Sequence, residues 1–478
     1  MSGAQINLDS PERKAKISQI RKDIENIFRA YDIRGVFNQD FNAEIATEVG
    51  VAFGTFLGGK GRVCIGRDVR KSSEIIEMAF SAGLASTGVA LESVGMVPIP
   101  VANFWTWQGK YDAGVYITAS HNPPEYNGIR FRHPDGSGYT SGNQKIKEIY
   151  LNGEVKKAKW DSLGKISSVS TDEVLKSYMD YIASRIQTKR NMTVVVDPGN
   201  GAACVVAPQL MKKIGCTVSS INDNIDGAFP ARGPNPTLKT LGACAQKVLE
   251  KKADFGVGYD GDSDRAIFVD DKGRTCTTEQ IGVILARKIL SQTGGGKVIA
   301  NVPCSMMLEE EIQKAGGELV RTRVGDVFVC EAIKELKAVF ALEISAHLFL
   351  PTFYIFDDAI LASMLLAQIL SETDTKLSEM VDRIPKYPAI EKAIHVPDRI
   401  KFEILERMKK DYVQKGWKVD LTDGVKVFFD ESWALLRPSN TEPVIRLFTE
   451  AKTEHRAKEL EEQFEKELEK YVAEFRLT

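Results

Sequence analysis

Three aspartates, Asp260, Asp262 and Asp264, alternate with glycine and serine in "GYDGDSDRAIFVDDKG". On an extended backbone, alternate residues face one side, so the three carboxylates would crowd together. Carboxylates that close repel one another unless a cation joins them. A calcium EF-hand loop also opens on alternating acids, but its sixth position needs glycine, and Arg265 stands there. Strand-like segments flank the stretch, where an EF-hand has helices. One Mg2+ ion fits better, because it uses few carboxylates and shares its sphere with phosphate oxygens.

Three other stretches offer complementary groups. In "YITASHNPPEYNGIRF" a buried strand runs into Ser120, His121 and Asn122, then Pro123 and Pro124. Neither proline can continue a sheet, and each holds the preceding residue extended. The loop is therefore stiff and presents the Ser120 hydroxyl in a fixed direction. There is no G-x-S-x-G elbow, so a serine-hydrolase reading is poor. In "ALEISAHLFLP", Glu343, Ser345 and His347 alternate with Ile344 and Ala346. On one side of an extended loop they would suit sugar hydroxyls and proton transfer. In "RPSNTEP", Arg437, Ser439, Asn440 and Thr441 put a guanidinium fork, two hydroxyls and an amide in one short loop that can surround a phosphate. Each stretch also has a bland reading, as a turn or a half-buried strand.

The elements that must position these groups recur. "GRVCIGRD", "MTVVVDPGNG" and "GKVIANVPCS" are apolar runs, each followed by a helical stretch, a glycine and a second strand-like run: "GVALESVG", "GCTVSSIND" and "GGELVRTRVGD". Strand, helix, strand is the order a parallel crossover requires. Ligands in such sheets sit beyond the carboxyl ends of the strands. The expected fold is α/β: three related α/β domains with mixed sheets plus a smaller C-terminal α+β domain around a central cleft. The expected domains are 1–165 with the serine loop, 166–270 with the metal loop, 271–385 with the sugar loop, and 386–478 with the phosphate loop. Proline-punctuated "RIPKYPAIEKAIHVP" marks the last boundary. A long charged helix closes the chain, with Ala457, Leu460, Phe464 and Leu468 on one face. At the other end, Ser10-Pro11 reads as the start of an amphipathic helix through Ile17, Ile20, Ile24 and Ile27.

Composition narrows the function classes. A formal charge of -2 over 478 residues gives no basic field for nucleic acid or an acidic membrane. The longest apolar run, near Ala359 to Leu370, is too short to span a bilayer. Seven scattered cysteines, none spaced C-x-x-C, read as reduced thiols in a cytoplasmic protein without a zinc site.

From "FRAYDIRG" to "RPSNTEP", the chain resembles the α-D-phosphohexomutase family, with "TASHNPPEYNG" and "DGDSDR" as the most specific motifs and "DGAFPARGPNPT" beside them. The resemblance implies an isomerase that interconverts hexose 1-phosphate and hexose 6-phosphate, with mannose, glucose or both as the sugar. Ser120 would carry the phosphoryl group, and Mg2+ would bind Ser120, Asp260, Asp262 and Asp264. A hexose 1,6-bisphosphate would serve as intermediate and primer. His121, Arg130, Arg265 and His347 would join Ser120 in catalysis. Tyr31, Arg34, Glu343, Ser345 and the "RPSNTEP" residues would bind substrate. Arg130 replaces the family's lysine, and an arginine cannot accept a proton; that leaves His347 as the expected acid/base. Ala341, Leu342 and Ala346 replace glycines of the sugar loop. If φ is positive there, each costs about 1–2 kcal/mol. Action on glucosamine phosphates and non-catalytic sugar-phosphate binding are the alternative readings.

Overall fold

One strand pattern occurs three times in the computed structural model, which describes residues 25–439 and 443–477. In the first sheet, β2 (Arg62–Arg67) lies parallel to β3 (Ala90–Met96) and β4 (Ala113–Ile117), while β5 (Tyr126–Arg132) runs antiparallel to β4. β1 (Ile33–Val36) and β6 (Ile166–Ser168) form its edges. In the second sheet, β7 (Met192–Asp197) is parallel to β8 (Cys216–Ser220) and β9 (Phe255–Tyr259). There β10 (Ala266–Asp270) turns back on β9, and β11 (Thr275–Cys276) follows. In the third, β12 (Gly296–Asn301) is parallel to β13 (Gly317–Thr322) and β14 (Phe340–Leu342), and β15 (Leu348–Phe349) turns back on β14.

Each repeat therefore ends in an antiparallel hairpin built on its third parallel strand. Ser120, the three aspartates, and Glu343 with His347 all lie on those hairpin turns. The chemistry sits one strand later than the strand–helix–strand units that mark the repeat in the sequence.

The fourth sheet is wholly antiparallel: β16 (Ala389–His395), β17 (Val419–Asp420), β18 (Val425–Phe429), β19 (Ser432–Pro438) and β20 (Val444–Ala451), in the order β16-β20-β19-β18-β17. Helix Glu454–Leu477 packs on it through Leu460, Phe464 and Leu468. One continuous apolar core runs through the first three domains, the first domain adds a second core of its own, and the fourth is built on another. A small cluster of Val302, Trp433, Leu435 and Phe448 joins the third and fourth domains.

Some details depart from expectation. The first sheet runs past 165 because β6 pairs with β3, and the second runs past 270 because β11 pairs with β10. The proline-punctuated stretch is more than a boundary, since it carries edge strand β16. The opening helix lies outside the described residues, apart from Ile27, which is buried. The Ala359 run is a buried helix, Ala359–Ser371, and no described helix is long and apolar enough to cross a membrane. All seven cysteines are free.

Candidate active site

A cleft of about 980 Å³ gathers the hairpin turns. Its wall includes Tyr31, Arg34, Ser120, His121, Arg130, Arg265, Glu343, Ser345 and His347.

Ser120 follows β4 with φ 50, a left-handed conformation that non-glycine residues hold only when the surroundings impose it. Its Oγ lies 3.2 Å from Asp260 Oδ2 and 3.2 Å from His121 Nδ1. Burial beside Arg265 and Arg34 leaves His121 neutral. Arg265 is the largest cause, and together they push its pKa down to about 2.

The three aspartates converge through a turn and not by extended alternation. Asp260 N–H donates to Arg265 O, and Asp260 Oδ1 accepts from the N–H groups of Ser263 and Arg265 at 2.9 and 3.2 Å. Ser263 takes φ 73 at the bend. One oxygen from each aspartate lies within 4.8 Å of the others, and all three residues are fully buried. Burial, with repulsion from the other aspartates, pushes Asp260 and Asp262 up. Burial also opposes charge on Asp264, but His347, Arg130 and Arg265 outweigh it and hold that carboxyl down. Asp262 Oδ1 and Asp264 Oδ1 are buried without a hydrogen-bond partner. Convergent carboxylates with orphaned oxygens fit a divalent cation.

In the third turn, Glu343 N–H donates to His347 O across the β14–β15 hairpin. Glu343 Oε1 accepts from Asn301 Nδ2 and the Gly325 N–H, at 3.0 and 2.7 Å. His347 Nδ1 lies 3.1 Å from Glu343 Oε2 and 3.0 Å from Ser345 Oγ. Its Nε2 faces Asp264 Oδ1 at 3.4 Å and Asp357 Oδ2 at 3.6 Å. Burial and Arg265 disfavour charge on this ring, but the Asp264 and Glu343 carboxylates overcome them and raise its pKa well above the ordinary value. His347 therefore holds a proton, rather than titrating near neutrality as its reference pKa suggests. Of the three alanine or leucine replacements, only Ala346 has a positive φ, at 74; Ala341 and Leu342 lie inside β14.

Arg130 joins the turns. Its Nη1 meets Asp264 at 3.0 Å and its Nη2 meets Asp326 at 2.7 Å, so one side chain of the first domain reaches the second and third. Arg132 adds a contact to Asp326 at 3.0 Å. Arg34 pairs with Asp32 and donates to Asn122 Oδ1 at 2.7 Å. Tyr31 packs edge-on against Phe328, and burial pushes its phenol up to about 12.

The fourth domain is placed differently from expectation. Among the described residues it contributes Arg446 to the cleft wall, while Arg437 and Ser439 lie outside that wall. Arg437 Nε is held by Asp423 at 2.6 Å, and Ser439 O accepts from Lys401 Nζ at 2.5 Å. Asn440 and Thr441 lie outside the described residues. Sequence reasoning also passed over Asp326, whose partners Arg130 and Arg132 are distant along the chain, and Asp357, which faces His347 from just beyond the quoted loop. The one hint for Asp326 was its place at the end of the quoted "GGELVRTRVGD".

A buried serine facing an aspartate triplet, in a cleft lined from all four domains, defines a phosphohexomutase, an isomerase that moves a phosphoryl group within a sugar phosphate. Four family profiles match in order: "Phosphoglucomutase/phosphomannomutase, alpha/beta/alpha domain I" over residues 25–157, domain II over 176–273, domain III over 277–387, and the C-terminal domain over 391–467. The chain belongs to the phosphoglucomutase/phosphomannomutase family. It is 36% identical over 442 residues to a phosphoglucomutase/phosphomannomutase of Thermococcus kodakarensis, covering 91% of this chain and 96% of that one. It is 35% identical to a "Probable phosphoglucosamine mutase" of Methanopyrus kandleri, with the same coverage. A crystal structure of a phosphoglucomutase/phosphomannomutase family protein from Burkholderia thailandensis superposes with TM-score 0.86 at 28% identity, covering 94% of this chain and 98% of that one.

Proposed function

We propose that the chain interconverts the 1- and 6-phosphates of mannose, glucose or both, through a phosphoryl group carried on Ser120. The observation that carries this reading is Ser120 Oγ, held on a strained backbone 3.2 Å from Asp260. A sugar hydroxyl attacks the phosphorus; the new P–O bond forms as the bond to Ser120 Oγ breaks. The resulting bisphosphate turns around in the cleft, and its other phosphoryl group returns to Ser120 Oγ. Proton exchange with the sugar oxygens falls to the imidazoles on the cleft wall, His121 and His347, because the Arg130 guanidinium does not give up its proton. The neutral His121 takes the proton released on attack and returns it when the sugar oxygen leaves, while His347, already protonated, can act only as a donor. Arg130 and Arg265 offset charge during transfer, where positioning and electrostatics do most of the work. Glu343 and Ser345 grip sugar hydroxyls, with Tyr31 and Arg34 beside the serine loop. Arg437, Ser439, Asn440 and Thr441 hold the phosphate that is not reacting. Asp260, Asp262 and Asp264, with an oxygen on Ser120, would hold one Mg2+ ion, which would supply charge neutralisation at the phosphoryl group. The free cysteines suit a reducing, cytoplasmic setting.

A second reading, a glucosamine phosphate as the sugar, is favoured by the name of the Methanopyrus kandleri relative. One assay separates the two: mannose, glucose and glucosamine 1-phosphates as competing substrates, with Mg2+ and a bisphosphate primer. Turnover of the neutral hexoses is the expected result. Turnover of the amino sugar alone supports the second reading, and no turnover of any supports a non-catalytic binding protein.

A further inference from the structure

Ser120 needs something to hold its left-handed backbone, and the turn itself makes few of the necessary bonds. The side chain that does so comes from "GRDVRKSS", a segment just after β2. Arg70 is 3% exposed, and its guanidinium lies under the serine loop. Nη1 donates to Pro123 O at 2.6 Å and Tyr126 O at 3.0 Å. Nη2 donates to Ser120 O and Asn122 O, both at 2.7 Å. Nε donates to Asp68 Oδ2 at 3.0 Å, so all five N–H bonds of the group are used. Four of them hold backbone carbonyls of one loop in a single plane.

Asp68 fixes the clamp in turn. Its carboxylate accepts from Arg70 N–H, from Ser73 Oγ at 2.5 Å and from Thr118 Oγ1 at 2.8 Å. Thr118 Oγ1 accepts the Ser120 N–H at 2.8 Å and lies 3.0 Å from Asp262 Oδ2. The Ser120 peptide is thus gripped at its N–H through Thr118 and at its carbonyl by Arg70. From the second domain, the Phe229 ring covers the guanidinium at 5.3 Å.

We propose that Arg70 is a positioning residue for phosphoryl exchange: by fixing four carbonyls of the serine loop it aims Ser120 Oγ at the metal-binding aspartates, without touching the sugar. This rests on the reading that Ser120 carries the phosphoryl group. A lysine has three donors on one nitrogen and cannot reproduce the planar fork. A misplacement of about 1 Å at a reacting atom costs on the order of 100-fold in rate. Sugar binding depends on other turns, so substrate affinity stays.

The test uses the full chain with Arg70→Lys and Arg70→Ala, in Mg2+, with glucose 1,6-bisphosphate as phosphoryl donor. The rate of Ser120 phosphorylation is followed by intact mass, and kcat and KM are measured with the preferred hexose 1-phosphate. The expected result for Arg70→Lys is a loss of about 100-fold in both phosphorylation rate and kcat, with KM within about threefold of the parent. Arg70→Ala falls further and recovers on addition of guanidinium at sub-denaturing concentration, but not of ammonium. Arg70→Lys with parental rates overturns the proposal. So does a parallel loss of kcat and substrate affinity that guanidinium does not reverse, since that is what a merely structural residue gives. If Arg70→Ala does not fold, the lysine variant decides alone by the same split. A parent enzyme that takes up no phosphoryl group would instead sink the underlying reading of Ser120.

Discussion

Arg130 meets two carboxylates, Asp264 and Asp326, through separate nitrogens of one planar fork, and so ties the second and third domains to its own. Its replacement of the family lysine therefore brings a fixed bridge as well as removing a proton acceptor. Burial alone would lower its pKa, but the surrounding aspartates keep it fully charged. Removing one partner of a buried ion pair typically costs about 3–5 kcal/mol, because the other charge is left without compensation. Arg130→Met is expected to lose stability in that range, read from urea denaturation, even though methionine fills much of the volume. Asp264, Asp262 and Ser120 were legible in the sequence because each lies in a short contiguous motif. Asp326 and Arg70 were not, because the groups they hold lie far along the chain, and Asp357 was not, because it stands outside any contiguous motif.

At the scale of elements, the hairpin after the third parallel strand brings each motif to the cleft. The sequence showed the strands, but alternation of Asp260, Asp262 and Asp264 suggested an extended segment, where a turn closed by Asp260's own carboxylate does the work. Glu343 and His347 also face each other across a turn. Their segment carries a substitution with a visible counterpart. Leu342, at a position where the resemblance implies a glycine, lies inside β14 and is fully buried. It packs on Gly282 of helix Thr278–Thr293, where an added Cβ would stand 2.8 Å from Leu342 Cδ1. Gly282→Ala is expected to destabilise by about 1–3 kcal/mol through overpacking. Pairing it with Leu342→Ala should recover part of that loss, so a thermal-melt double-mutant cycle should show coupling. Additive losses would mean that the two positions do not share the space.

At the scale of the whole molecule, the fourth domain is attached through a small contact that contains one unusual group. Lys426 is 2% exposed, donates to Val302 O of the third domain at 2.8 Å, and lies 3.7 Å over the Trp433 ring. Burial, with Arg321 nearby, pushes its pKa down to about 7. Above that pH the folded chain has released a proton that the unfolded chain still binds, so this group makes stability rise with pH until lysine's ordinary range is reached. Below about 7 both states carry the charge, and the cost of burying it is constant. The expected slope is at most about 1.4 kcal/mol per pH unit. Melting of the parent and of Lys426→Met, followed from about pH 7 to about pH 9.5, should show the parent gaining on the variant as pH rises. Parallel curves would mean that Lys426 stays charged in the fold.

Ser120 is proposed to exchange a phosphoryl group beside the aspartate triplet. Intact-mass measurement of the purified chain after incubation with glucose 1,6-bisphosphate and Mg2+, alongside Ser120→Ala and Asp262→Asn, tests it most directly. One phosphoryl group is expected on the parent, mapped to Ser120 and removed by excess hexose monophosphate. None is expected on Ser120→Ala, and a greatly slowed gain on Asp262→Asn. Mutase turnover with Ser120 unmodified throughout, or a phosphoryl group that maps to another residue, would contradict it.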